Sequence, residues 1–169
     1  QNLMEFDLAK ENFEISASLA MSNNNEAFAG VVYANIGKLL YENNLLDEAL
    51  KYFEKGVLIE EKYDMKGSAG NSYNTIAQIY MQKNESDSVL FYLKKAIDYL
   101  RKENSMLGIA NNLIIASEYY LSIGDMENTK THLNEAIEIA KLSKLRNVLS
   151  KAYKIRAQLN YMEGYYSQA

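Results

Sequence analysis

Apolar residues recur along the chain at three- and four-residue spacing, in two stretches per forty residues with a short polar turn between them. That spacing belongs to a helix with one buried side, so every forty residues predict a helical hairpin, helix A followed by helix B. In the first complete hairpin, helix A is predicted over Glu26–Asn43, with Val32, Tyr33, Ile36, Gly37 and Leu40 inward. Asn43-Asn44 ends it, because asparagine tolerates the left-handed conformation that closes helices. Helix B is predicted to begin near Leu46 and to bury Ala49, Leu50, Phe53, Gly56 and Val57. Asp47 lies in its first turn, where a carboxylate meets the positive end of the helix dipole.

Sliding the chain along itself by forty residues superimposes these positions. One column reads Tyr33, Tyr73, Leu113, Tyr153, and another Gly37, Ala77, Ser117, Ala157. Three more read Ala9, Ala49, Val89, Thr129, Ala169, then Phe13, Phe53, Leu93, Leu133, then Ser16, Gly56, Ala96, Ala136. The turn residue recurs as Asn44, Asn84, Gly124, Gly164, and Gly67, Gly70 and Gly108 are predicted to reverse the chain between hairpins. A fixed period of this length implies an all-α stacked-repeat architecture of eight helices. The predicted units are a lone helix B in 1–25, hairpins in 26–65, 66–105 and 106–145, and a helix A in 146–169. Both ends fall inside repeats, which implies a piece of a longer protein with an apolar terminal face at Tyr161, Met162, Tyr165 and Tyr166.

Composition narrows the function classes. With no proline, nothing interrupts the helices, and with no cysteine there is no disulfide framework, thiolate zinc site or cysteine nucleophile. The net charge of −4 is acidic over residues 1–100 and basic beyond, which argues against a general attraction to nucleic acid or to an anionic membrane. No apolar run is long enough to span a membrane. His132 is the one histidine and has no second histidine or cysteine to pair with, so no enzyme activity is expected. Glu60, Glu61 and Asp64 lack the alternating ligands and central glycine of a calcium loop and read as a solvated helix end. No metal or cofactor is expected. Tyr33, Tyr73, Tyr80, Tyr120 and Tyr153 fall on packing columns and read as core. The basic stretch Lys141, Lys144, Arg146, Lys151, Lys154, Arg156 reads as a solvated helix end and loop.

The order Tyr33-Ile36-Gly37-Leu40-Asn44-Ala49-Phe53-Gly56, repeated as Tyr73-Ile76-Ala77-Tyr80-Asn84-Val89-Leu93-Ala96, resembles the tetratricopeptide repeat over essentially the whole chain. The chain departs from the family in lacking tryptophan and a closing proline, and in a period of forty rather than thirty-four. The longer period resembles arrays in bacterial regulators and sensors. The resemblance implies a right-handed superhelical solenoid whose concave surface, lined by the A helices, holds a protein or an extended peptide. Carried onto this chain, that groove comprises Asn35, Lys38, Tyr41, Asn71, Asn74, Gln78, Asn111, Ile115 and Glu118. A row of amides can donate to and accept from a peptide backbone without demanding a particular side chain. Replacing Asn74 is therefore expected to leave folding intact. The family's clamp for an acidic chaperone C-terminus is not expected, because Ala34, Thr75, Asn111 and Ile115 stand at most of its positions and only Lys38 is cationic.

The functional expectation is a non-enzymatic scaffold, the sensory or assembly module of a larger bacterial transcriptional or two-component regulator. The sequence leaves its compartment open between the cytoplasm and, for the sensor part of a membrane-bound regulator, the periplasm. The alternatives are a self-associating module that dimerises through its terminal helices and, less favoured, nucleic-acid binding through residues 141–156.

Overall fold

The computed structural model describes the backbone of residues 3–166 and the side chains of residues 5–164. Among the described residues there are eight α-helices and no strand: α1 (Leu3–Ser22), α2 (Glu26–Glu42), α3 (Leu46–Lys62), α4 (Lys66–Gln82), α5 (Ser86–Lys102), α6 (Met106–Ser122), α7 (Met126–Leu142) and α8 (Arg146–Tyr166). Each of α2 to α7 is 17 residues long.

The three-residue turns between these helices share one geometry. Their middle residues, Asn24, Asn44, Asp64, Asn84, Asn104, Gly124 and Lys144, all have positive φ, from 54° to 79°. The next residue's N–H then donates to the carbonyl five positions back, as Leu45 to Leu40 (2.9 Å), Met65 to Glu60 (2.8 Å) and Leu145 to Ala140 (2.8 Å). This left-handed C-cap satisfies carbonyls that a helix end otherwise strands. Asparagine, aspartate and glycine adopt that conformation readily, and Lys144 is the exception. Side-chain capping at the following helix is intermittent. Asn25, Ser105 and Asp125 accept from the N–H of Phe28, Gly108 and Asn128, whereas Leu45 and Met65 make no such bond.

Several glycines expected to reverse the chain do something else. Gly67 and Gly70 lie within α4 and Gly108 within α6, and the reversals between hairpins fall at Asp64 and Asn104. Gly108 answers a need for space, since a Cβ there would come within 2.4 Å of the Leu100 side chain. Gly164 makes no turn either, because α8 runs through it to Tyr166.

The chain divides into two compact units, residues 1–99 and residues 100–169. In the first, α1 packs on α2, α3 packs on α2 and α4, and α2 also touches α4. The small-residue columns set the spacing of α2 and α3. A Cβ on Gly56 would meet the Ala34 nitrogen and the Gly30 carbonyl oxygen, both at 3.1 Å, and a Cβ on Gly37 would meet the Phe53 ring at 2.9 Å. Ile36, Leu40, Ala49 and Phe53 fill the seam and are buried. Each large apolar side chain of that kind contributes roughly 1.5–3 kcal/mol by leaving water. The tyrosines of α4 and α5 stack, Tyr80 on Tyr92 with ring centroids 5.4 Å apart and Tyr92 on Tyr73 at 5.8 Å.

In the second unit α7 packs on α6 and α8, and α6 touches α8. Leu133, Ala136 and Ala140 are fully buried there. Ser117, buried in the small-residue column, returns its hydroxyl to the Leu113 carbonyl at 2.7 Å. Tyr153 departs from its column: Tyr73 and Leu113 are 3% exposed and Tyr153 is 50% exposed, so it is not core. Of the expected terminal apolar face, Tyr161 is exposed and Met162 half-buried, while the side chains of Tyr165 and Tyr166, and Ala169, lie outside the described residues.

Two substitutions test this packing. Gly56→Leu drives a branched side chain into the α2 backbone and is expected to cost about 1–3 kcal/mol or more in thermal unfolding. Lys144→Gly relieves a left-handed residue with a Cβ and is expected to raise Tm by roughly 2–4 °C.

Candidate functional site

The predicted groove residues fall on helices that touch within each unit. On α2, Asn35 and Lys38 are exposed, and Lys38 lies 3.9 Å from Glu42, a surface pair of little energetic weight. Tyr41 is half-buried, and its hydroxyl accepts from the Gln82 amide of α4 at 3.1 Å, tying the two helices together. On α4, Asn71 is exposed and Gln78 half-buried. Asn74 is only 5% exposed, which corrects the expectation of an accessible amide. A buried amide is held by its hydrogen bonds, so its removal bears on folding.

In the second unit Asn111 is half-buried, and Ile115, at 7% exposed, is core rather than open surface. Glu118 is exposed and stands at a cleft of about 1000 Å³ between α6 and α8. Leu121 and Ser122 continue the α6 wall, and Lys151, Lys154, Ile155, Gln158, Tyr161 and Met162 form the α8 wall. Crowding pushes the Glu118 carboxyl above the usual carboxylate range, while Lys151 and Lys154 draw it down. Neither lysine forms an ion pair among the described residues. Three features that were separate in the sequence meet in this cleft: the groove glutamate, part of the basic stretch and the apolar end of the last helix. The rest of the basic stretch is not gathered there, and Arg156 instead donates to the Asn134 side chain of α7 at 2.6 Å.

Of the acidic group at the end of α3, Asp64 is solvated and Glu60 and Glu61 are not. Glu60 is fully buried. Glu61 anchors a network in which one carboxylate oxygen accepts from the hydroxyls of Tyr73 (2.6 Å) and Tyr99 (2.7 Å) and from the Lys95 ammonium (3.4 Å). The Lys95 nitrogen also donates to the Tyr73 hydroxyl at 2.8 Å and lies 4.5 Å from the centre of its ring. Burial by itself raises the Glu61 carboxyl, and the two tyrosines and the lysine outweigh it, holding it below the usual range. Its acceptor capacity and its cation are thus taken up internally. The forty-residue columns carried a signal for Glu60, treated below, whereas the Glu61 network depends on three helices meeting and left none.

His132 is half-buried, donates from Nδ1 to the Asn128 carbonyl at 2.7 Å and stacks on Tyr120. No group of three or more His, Asp or Glu side chains is placed to hold a metal among the described residues, and no described helix is long and apolar enough to cross a membrane.

Residues 31–63 and 70–101 match the tetratricopeptide repeat family. A comparison with curated protein sequences finds no match. Among solved structures the chain is similar to BtubC (BKLC) from P. vanneervenii, with 15% identity, a TM-score of 0.71, and coverage of 83% of this chain and 58% of that one. It is similar to aspartyl phosphate phosphatase F from Bacillus subtilis, with 20% identity and a TM-score of 0.69 over 96% of this chain and 45% of that one. A third is a Podosopora anserina putative kinesin light chain with nearly identical tetratricopeptide-like repeats, at 15% identity and a TM-score of 0.66 over 96% of this chain and 84% of that one. The chain spans little more than half of the first of these proteins and less than half of the second. At such identities the likeness is one of fold.

Asn74→Ala is expected to lower stability by about 1–3 kcal/mol, against less than about 0.5 kcal/mol for the exposed Asn71→Ala, as read from urea denaturation of the two variants.

Proposed function

We propose that this chain, whose segments 31–63 and 70–101 are tetratricopeptide repeats, is a non-enzymatic scaffold that holds a segment of another protein in the cleft between α6 and α8. The observation that carries this reading is the convergence in one cleft of Lys151 and Lys154, which form no ion pair among the described residues, with the exposed Tyr161 and the half-buried Leu121 and Met162. Apolar surface supplies affinity, and two lysines that outnumber the one carboxylate of the cleft supply register for a ligand carboxylate. The occupant that fits is an extended segment with an acidic side chain close to a bulky apolar one. On unit 1 the exposed amides Asn35 and Asn71 offer backbone-type hydrogen bonding to the same class of ligand.

The scaffold serves a larger bacterial regulator as its sensory or assembly part. The fold likeness to the Bacillus subtilis aspartyl phosphate phosphatase supports that context, and at 20% identity it does not carry that protein's activity with it. A non-catalytic role is supported by His132, whose Nδ1 is held by the Asn128 carbonyl and whose ring stacks on Tyr120.

A second reading has its own observation. Leu8, Ile15 and Leu19 share one face of α1 and are 57%, 50% and 57% exposed, an apolar stripe suited to self-association. Sedimentation across a hundredfold range of concentration tests it. A mass that rises with concentration and returns to monomer in Leu19→Lys supports a dimer through this terminal helix, and a constant monomer removes that reading.

The cleft is tested by pull-down from the source cell's lysate. The double variant Lys151→Glu, Lys154→Glu is expected to lose the partner by more than tenfold, since charged hydrogen bonds are worth about 1.5–3 kcal/mol each. The pair Asn35→Ala, Asn71→Ala measures the contribution of unit 1. A partner retained at full strength by both folded variants would mean that these surfaces are not used.

A further inference from the structure

Glu60 is an exception in its own column. Forty residues before it stands Ala20, and after it come Leu100 and Ala140, all three buried apolar residues. Glu60 is buried just as fully, at 0% exposed. The exception extends across the seam to α4. Ser68 replaces Phe28, Gly108 and Val148 of the other repeats, and Ser72 replaces Val32, Asn112 and Ala152. The Glu60 Oε1 accepts from the Ser68 hydroxyl, and the Ser72 side chain bonds the same carboxyl. Oε2 has no partner among the described residues.

An ionised carboxylate in that position would lack a counter-charge. Three cations of the surrounding helices are committed elsewhere, Lys62 of α3 to Glu26 of α2, Lys66 of α4 to Asp64, and Lys95 of α5 to Glu61, and none acts on Glu60. Tyr73 of α4 and Tyr99 of α5 point their hydroxyls at Glu61. What acts on Glu60 is burial, opposed by the two serine hydroxyls, with no charged neighbour contributing. A buried, unpaired charge is among the most expensive features a core can carry, and the group escapes it by keeping its proton.

We propose that the seam between α3 and α4 is a proton-sensitive joint, in which Glu60 is built into the fold as a neutral carboxylic acid and its ionisation loosens the first turns of α4. Burial raises the carboxyl above the usual range, so the folded chain keeps a proton that the unfolded chain has released. The stabilisation is complete below the ordinary carboxylate pKa and is lost as pH rises through the raised value in the fold. Within that window the folding constant falls about tenfold per pH unit. Glu61 behaves in the opposite sense: its carboxyl is held low, so its contribution is present above the ordinary value and lost on acidification. Adjacent residues on α3 thus oppose one another, and the joint acts on the turns of α4 that carry Asn71 and Asn74.

The test is carbon-13 NMR of the glutamate side-chain carboxyls against pH, in the native chain and in Glu60→Gln. Two carboxyls, those of Glu60 and Glu118, are expected to titrate above the ordinary range, and the first of them to be missing from Glu60→Gln. In Ser72→Ala that titration moves further up, because a hydroxyl that favours the ionised form is gone. Amide exchange over residues 66–74, corrected for intrinsic rate, is expected to speed up with rising pH in the native chain and not in Glu60→Gln or in Glu60→Leu, which restores the residue of the Leu100 column. A native chain in which no glutamate but Glu118 titrates above the ordinary range, or exchange profiles that run parallel in native and variant chains, would overturn the proposal. Glu118→Gln, at an exposed position, leaves Glu60 as the raised carboxyl and decides the first point even where a Glu60 variant fails to fold.

Discussion

The structure depends first on a backbone constraint, a left-handed residue at every twentieth position that lets one helix end and the next begin within three residues. The five-back hydrogen bond at each of these positions closes the helix and fixes the exit direction together. Because the turn inside a hairpin and the turn between hairpins are the same, the helices need not differ in length, and α2 to α7 do not. Side-chain size then decides how closely each helix lies on its neighbour. Glycine at positions 30, 37 and 56 lets α2 and α3 approach to the point where a Cβ would collide, and elsewhere in the columns of Gly37 and Gly56 alanine or serine suffices.

Polar groups inside such a stack are costly unless something in the next helix answers them. Glu60 and Glu61 show two answers one residue apart. Glu61 points toward hydroxyls and an ammonium and is held as an anion. Glu60 points into a seam that offers two hydroxyls and no charge, and is driven toward its neutral form. The difference is one of helix phase: a step of one residue turns a side chain by about 100° and exchanges a polar environment for the core.

The cleft between α6 and α8 arises from the same geometry. Within each unit the two A helices touch along part of their length, and residues with little in common in the sequence become neighbours across the gap. Glu118 occupies the register position of Lys38 and Gln78, so the charge of this face changes from repeat to repeat on an unchanged backbone. Chemistry that varies on a constant frame is what a recognition surface requires, and it is carried by the exposed positions that packing leaves free.

Much of the backbone was legible in the sequence, because helix period, small-residue columns and turn asparagines are local signals. The limits of α2, the start of α3 and the turns at Asn44, Asn84 and Gly124 follow from those signals alone. Glycine misled where its role was spatial: Gly67, Gly70 and Gly108 resembled punctuation and lie within helices, while Asp64 and Asn104 make the turns. Exposure misled where identity stood in for environment. Asn74 and Glu60 are polar and buried, and Tyr153 is aromatic and exposed. The sequence by itself determined where the helices run, since that depends on neighbours within a turn or two. Only the tertiary structure decided which carboxylate keeps its proton, which lysines remain unpaired and where the cleft opens, since those depend on side chains that separate helices bring together.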